Sequence, residues 1–600
     1  MSKGIVMKFA SLFCLVLLTT PAFAQAPPAA PAKPHNIIIF VADGLRYGSV
    51  TADNMPNMFK LKSEGVDFTN SHSLFPTITT VNASAIATGH YIGDTGDFGN
   101  TIYTGMPMIS SNGAPIAGLE NDTVLAEMNQ KFGGNYLNED TFIARARAAG
   151  FNTAVIGKLG PARIQDSTAA PDGSQTLILD DNTGHEGGFG LPPWFSRQMK
   201  AAYVTGGAPK NQVPNIPQEV WLTKAATRIV LPHFAEDAKP FVLLFWSRDP
   251  DFSQHNTRDS VGEYDPGING PSGLAGTRVA DTMLGQLLAT LKELGLDKTT
   301  DVFVTADHGF VTVSHASASS PSARLNQDGA LTDLSGGFLA VDLASMLRMR
   351  LFDPARNFAS VDFGSGGKLG EDSSGFLGDP QSPDVVVAPN GGADLIYLPK
   401  PSAKGLASDI VKFLSTQDYV AAIFVNDRLG RFAGALAMSD VNLMGSAKTP
   451  EPAIYVSFRS FAGTCPGQLQ CSIGVHDTPR PTGQGSHGSL SRAETRNFMA
   501  AAGPDFKRGF SDPAPISNAD IAPTLAKITG IELPSKGKLR GRVISEALIG
   551  GSVPGVVRHT IQSQPAESGA ATILNYQQIG ETRYFDAAGF AGKAVGLTPP

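Results

Sequence analysis

Four strand-like runs divide the first half of the chain: the apolar run at residues 36–42 (Asn-Ile-Ile-Ile-Phe-Val-Ala), then 153–156, 241–246 and 301–306. Unbroken apolar character over four to eight residues is the pattern of a strand buried on both faces. Helical periodicity lies between them. A helix begins at Pro56, an amphipathic stretch spans 139–149 and ends at Gly150, and a longer one spans 277–294 and ends at Gly295. Buried strands alternating with helices predict an α/β domain with a mostly parallel sheet. Each run stops at residues with chemistry. Asp43-Gly44 follows the first, Gly157-Lys158-Leu159-Gly160 the second, Asp251 and His255 the third, and Asp307-His308-Gly309 the fourth. Carboxyl ends of parallel strands are where such sheets place their sites. Singly, each residue has a plainer reading: Asp43 as a loop carboxylate, Lys158 as a solvated lysine, Asp251 and His255 as loop residues.

The stretch from Phe75 to Asn100 carries the second signal. Pro76 is followed by hydroxyls at Thr77, Thr79 and Thr80, then by a run of small residues, Asn82 to Ala87, ended by Gly89. The run predicts a helix of about two turns. A hydroxyl just ahead of a helix faces free backbone N–H groups and the positive end of the dipole, a setting for an anion. Such a hydroxyl serves equally well as an N-cap.

Elsewhere the pattern is looser. Residues 165–220 read as loop. The stretch from 311 to 480 reads as an inserted region with its own strands (384–388, 393–398) and helix (403–415). Then Gly483-Gln-Gly-Ser-His487-Gly488 places a histidine among glycines and hydroxyls, with little core to pack in. Residues 517–529 resume the α/β rhythm, and 571–585 read as a late pair of strands.

Charge and composition narrow the function. Residues 1–24 have the form of an export signal: Lys3 and Lys8, an apolar run, and Ala22-Phe23-Ala24 as a small-x-small cleavage site. The run is short for a bilayer span, so no membrane anchor is expected after cleavage, and the periplasm or the medium is the expected location. Residues 25–34 are an Ala/Pro-rich leader. Core segments are expected at 35–310 and 481–600, flanking the inserted cap region at 311–480. A formal net charge of −7 with no basic block argues against nucleic acid as a partner. Beyond Cys14 in the signal, only Cys465 and Cys471 remain, six apart across Pro466-Gly467, and in an exported chain they are expected to close a small disulfide loop.

In this order the motifs resemble the alkaline phosphatase superfamily, and within it the type I phosphodiesterase/nucleotide pyrophosphatase branch. The order is an aspartate after the first strand, Pro76-Thr77-Ile78-Thr79-Thr80-Val81-Asn82, Thr88-Gly89, Asn100, Asp251 with His255, Asp307-His308-Gly309 and His487-Gly488. The resemblance implies an alkaline-phosphatase-like three-layer α/β sandwich with a cap. It implies two Zn2+ ions, one held by Asp251, His255 and His487 and the other by Asp43, Asp307 and His308. Thr79 would bridge the metals and attack phosphorus, giving a phosphothreonine intermediate. Asn100 would steady a non-bridging oxygen, and Lys158 would add positive charge. The implied substrate is a small phosphoester.

The chain departs from the family at several positions. Monoesterases of the superfamily add an arginine or a Lys-x-Arg pair; here Lys158 is followed by Gly160, and Arg163 is out of register. Val81 replaces the usual proline and Gln254 the usual glycine. The expectation is therefore a phosphodiesterase or nucleotide pyrophosphatase, with an alkaline phosphomonoesterase and a non-catalytic phosphoester- or metal-binding protein as the alternatives.

Overall fold

The structure, a computed structural model, describes residues 1–4, 35–185, 187–202, 207–237, 239–325, 333–365, 367–370, 374–465 and 467–598. The expected export signal beyond residue 4 and the leader to residue 34 lie outside the described residues.

The strand Asn36–Ala42 is buried along its whole length. Its side chains alternate between two cores: Ile37, Ile39 and Val41 enter one, and Ile38, Phe40 and Ala42 enter the other. A strand with both faces covered has no use for polar side chains, which explains the unbroken apolar run. Phe241–Ser247 pairs with it in parallel on one side and Thr300–Thr305 in parallel on the other. Asn152–Gly157 continues the sheet beyond Phe241–Ser247, and Leu177–Asp180 forms that edge. On the far side Met499–Ala502 runs antiparallel between Thr300–Thr305 and Val66–Phe68, and Phe510–Asp512 forms the other edge. This eight-stranded sheet therefore has one reversed strand.

Helices cover both faces. Thr79–Thr88 and Phe142–Ala148 supply Val81, Ile86, Phe142 and Ile143 to the first core. Pro271–Glu293 supplies Val279, Met283, Leu284 and Leu287 to the second. The result is a three-layer α/β sandwich. Helix boundaries differ from the sequence expectation: the helix that follows Pro76 starts at Thr79 rather than Asn82, and the 139–149 stretch is helical only over Phe142–Ala148, behind a Thr141 cap. The loop-rich 165–220 stretch contains an edge strand and the helices Pro193–Ala201 and Ile216–Ala225.

A second eight-stranded sheet is built from strands between Leu351 and Phe458. Its Ser382–Asn390 strand sends Val386 and Ala388 into the core under the Thr79–Thr88 helix, and Val385 and Val387 into a separate core behind. This sheet thus packs as a further layer over that helix. The chain leaves and rejoins the main body through neighbouring strands, since Val311–Ser314 pairs antiparallel with Gly485–Ser486. A three-stranded sheet, Val557–Gln562, Ile573–Ile579 and Thr582–Gly589, stands where the sequence suggested two strands. Cys465 and Cys471 are joined as a disulfide, with their Cα atoms 5.8 Å apart.

Candidate active site

Four adjacent parallel strands end on one rim of the sheet. Thr300–Thr305 leads to Asp307 and His308, Asn36–Ala42 to Asp43, Phe241–Ser247 to Asp251 and His255, and Asn152–Gly157 to Lys158. The turn into Lys158 needs glycine: Gly157 has φ +147°, and a Cβ there would lie 2.1 Å from the Trp246 carbonyl oxygen. Lys158 N–H bonds that same carbonyl at 3.1 Å, which fixes where the lysine leaves the strand. Thr79 enters from the side as the first residue of its helix, and His487 descends from the loop after Gly485–Ser486.

The carboxylates and imidazoles converge. His308 Nε2 lies 3.3 Å from Asp307 Oδ2 and 3.6 Å from Asp43 Oδ1. His255 Nε2 is 3.1 Å and His487 Nε2 3.6 Å from Asp251 Oδ1. The His308 and His487 rings stack at 3.6 Å between centroids, which joins the two groups. Ligand-type atoms of Asp43, Asp307 and His308 lie within 4.8 Å of one another, as do those of Asp251, His308 and His487.

All three histidines turn Nδ1 toward a backbone carbonyl. His255 meets Gly485 O at 2.8 Å, His308 meets Gly309 O at 2.9 Å, and His487 meets Thr77 O at 2.8 Å. An Nδ1–H donated this way leaves Nε2 as a lone-pair donor aimed at the centre. Asp43 Oδ1, Asp251 Oδ1 and Asp307 Oδ2 are buried there without any hydrogen-bond partner. Buried carboxylate oxygens left unpaired cost free energy. Three at one point, facing three imidazole nitrogens, match the oxygen and nitrogen donor set that suits zinc.

The charges inside this site depend on one another. Burial pushes the Asp43 carboxyl well above its ordinary range, with the Asp307 charge adding to it and Lys158 opposing. Burial opposes ionisation of Asp251 too, but His255 and Lys158 outweigh it and hold the group well below its ordinary value. Burial, with His308 and His255 nearby, holds His487 neutral by pushing its pKa well down. His255 is lowered by burial and by the Arg480 charge.

Thr79 is fully buried, with Oγ1 3.2 Å from His308 Nε2 and 3.4 Å from Lys158 Nζ. The helix N-cap is Ile78, with no side-chain cap, so the Thr79 hydroxyl does not serve as one. Thr77 faces elsewhere: its Oγ1 bonds Ser489 O and Glu494 Oε2 and accepts from Gly488 N. Thr80 N–H bonds Asn100 Oδ1 at 3.1 Å and so anchors the Asn100 side chain at the cavity wall. Lys158 is not a rim lysine. It is 4% exposed, with Nζ 3.0 Å from Asp43 Oδ2, 3.5 Å from Asp251 Oδ2 and 2.9 Å from Glu120 Oε1.

Several supporting residues carried no sequence signal. Trp246 Nε1 donates to Asp43 Oδ2 at 2.8 Å. Asn518 Nδ2 bridges Asn82 Oδ1 and the Asp307 carbonyl, at 2.9 and 2.8 Å. Glu494 holds Thr77 and Ser489 beside the His487 loop. Only their positions in the fold make them relevant. The substituted Gln254 bonds the Gly44 carbonyl at 3.1 Å, across the base of the site. Two other His/carboxylate groups lie outside this site, His35–Asp301–Asp505 and His90–Asp94–Glu139. In the latter, Asp94 and Glu139 already accept backbone N–H groups from residues 446, 536, 537 and 539, as a brace between loops does.

A cavity of about 610 Å3 opens onto the site, lined by Thr79, Asn100, Lys158, Asp251, His255 and His487 among others. The sequence model of the type I phosphodiesterase / nucleotide pyrophosphatase family matches residues 37–355. That span holds every residue just placed around the cavity except His487. The chain belongs to the type I phosphodiesterase/nucleotide pyrophosphatase family, a branch of the alkaline phosphatase superfamily, and is a phosphoester hydrolase.

Proposed function

We propose that the protein is an exported, two-zinc phosphodiesterase/nucleotide pyrophosphatase that works through a phosphothreonine intermediate. The observation that carries this is the convergence of three unpaired carboxylate oxygens and three imidazole Nε2 atoms around the Thr79 hydroxyl. Two Zn2+ ions, one on Asp43, Asp307 and His308 and the other on Asp251, His255 and His487, would supply Lewis-acid charge neutralisation and lower the pKa of the threonine hydroxyl.

The chain's own groups supply the rest. Thr79 Oγ1 gives its proton to water and forms a bond to phosphorus, and the bond from phosphorus to the departing oxygen breaks, that oxygen keeping the electron pair. Water later takes the phosphoryl group from Thr79 and restores the hydroxyl. The Asn100 Nδ2 amide, held by the Thr80 N–H on its Oδ1, and the Thr79 backbone N–H meet a non-bridging oxygen. Lys158 keeps its proton: although buried, it is held well above its ordinary pKa by Asp251, Asp43 and Glu120. It acts as fixed positive charge and not as a base. Its three carboxylate partners, with Gly160 where monoesterases carry arginine, leave the phosphoryl end without a cation reserved for the second charge of a monoester. The export signal at residues 1–24 and the 311–480 cap belong to the same reading.

The test is hydrolysis of bis(p-nitrophenyl) phosphate and p-nitrophenyl phosphate by the zinc-loaded protein. We expect kcat/KM to favour the diester by at least about tenfold. A preference for the monoester would reverse the assignment.

A further inference from the structure

Three cationic side chains line the cavity: Lys158, Arg248 and Arg480. Two are committed. Lys158 is ringed by Asp43, Glu120 and Asp251. Arg248 Nη2 pairs with Asp181 Oδ2 at 2.5 Å. Arg480 differs. Its guanidinium bonds only Thr478 Oγ1, at 3.4 Å, and no carboxylate pairs with it among the described residues. Nearby Asp477 is turned to the Phe338–Leu347 helix, where it accepts Gly337 N–H at 2.5 Å and Leu339 N–H at 3.4 Å. The Arg480 backbone, by contrast, is fastened: its N–H bonds Thr478 Oγ1 at 3.3 Å, and its carbonyl meets His315 Nε2 at 2.6 Å. A head group without a counter-ion on a fixed stem at a cavity wall is a ready anion site.

Its place in the cavity identifies the anion. The Thr79 hydroxyl lies against His308, on the Asp43/Asp307 side. Attack in line from there sends the departing oxygen to the opposite side, where His255 and His487 sit. Arg480 is on that side: it lines the cavity together with His255, Asn256 and His487, and the segment that follows it is tied there, with Gln484 Nε2 donating to Thr257 O at 3.1 Å and Gly485 O meeting His255 Nδ1 at 2.8 Å. Resting on the phosphodiesterase reading above, we propose that Arg480 forms an anion subsite for a leaving group that itself carries a phosphoryl charge, which makes it the residue that favours phosphoanhydrides over simple diesters. Arg480 lies outside the family-matched residues 37–355, so the subsite is a feature of this chain's later segment.

The experiment compares wild-type and Arg480→Gln holoenzyme on a dinucleoside 5′,5′-diphosphate, on bis(p-nitrophenyl) phosphate and on p-nitrophenyl phosphate. A charge-assisted contact of ordinary strength predicts a fall of about 10- to 100-fold in kcat/KM on the diphosphate. On the two nitrophenyl esters the change should stay within about threefold, and Arg480→Lys should recover part of the loss. Equal losses on all three substrates would place Arg480 on the transferred phosphoryl group and overturn the proposal. So would a loss confined to the monoester, or no loss at all. A wild-type protein inactive on both diester and diphosphate would sink the underlying reading; calorimetric binding then decides the subsite separately. Inorganic pyrophosphate should bind the Gln variant about tenfold more weakly while orthophosphate binds both alike, and identical pyrophosphate affinities would reject the subsite.

Discussion

A hydroxyl buried at the first position of a helix needs a partner, and for Thr79 the partners are His308 and Lys158, not its own backbone. On the proposed mechanism, Thr79→Ala should lower turnover by about a thousandfold or more. Bound zinc, measured by elemental analysis, should stay within experimental error of wild type, because the three imidazoles and three carboxylates remain. Persistence of activity would move the nucleophile elsewhere. The motif itself offered three hydroxyls, at 77, 79 and 80. What separates them is contributed from far along the chain: Ser489, Gly488 and Glu494 occupy Thr77, and Asn100 takes the Thr80 amide. Local sequence holds no record of such partners. Lys158 shows the same limit, since a strand-end lysine reads as solvated until Glu120 and two other carboxylates close around it.

Elements were legible in proportion to their burial and length. The runs 36–42, 241–246 and 301–306 announced the central strands because both faces are covered. Val66–Phe68, Leu177–Asp180 and Phe510–Asp512 went unread. They are three or four residues long and sit at or near the sheet edges, too short for any periodicity to register. The loop after Phe241–Ser247 shows how an element is held in register for chemistry. Glu219, on the Ile216–Ala225 helix, accepts Arg248 N–H at 2.6 Å, Asp249 N–H at 3.2 Å and Ser247 Oγ at 3.1 Å. Burial, with the Asp249 charge, pushes its carboxyl up to about 8 from 4.5. Between those values the folded chain holds a proton that the unfolded chain has lost. Stability from this group is therefore full below about pH 4.5 and declines as pH rises toward 8. Glu219→Gln should flatten the fall in Tm across that window in a thermal-melt series; an unchanged slope would show that Glu219 is not the group responsible.

At the scale of the molecule, Asp43, Asp251, Asp307 and the three histidines hold the main sheet to the loop that follows Gly485–Ser486. Unneutralised, these buried acids repel one another. On the two-zinc reading, chelation should lower Tm by several degrees, and added zinc should restore it, since a ligand at about 1,000 times its Kd stabilises by roughly 4 kcal/mol. A melt indifferent to chelator would contradict that reading. The main sheet's layering could be foreseen from the chain's alternating pattern. Of the second eight-stranded sheet only two strands were foreseen, at 384–388 and 393–398, found as Ser382–Asn390 and Ala393–Tyr397; the sheet as a whole was not, because its antiparallel strands join residues between Leu351 and Phe458 through pairings that no single segment displays.

His487 reaches the site from roughly 180 residues beyond His308, with most of the second sheet encoded between them. At about 5–20 residues per second, a ribosome needs roughly 10–35 s to cover that distance. For that interval Thr79, the proposed nucleophile, and most of the site's acids and imidazoles already exist as chain, while His487 has not been made. On the proposed reading, a growing polypeptide therefore carries an incomplete site until residue 487 has been translated, and phosphoesters in the compartment of synthesis meet a hydrolase that has not yet been finished.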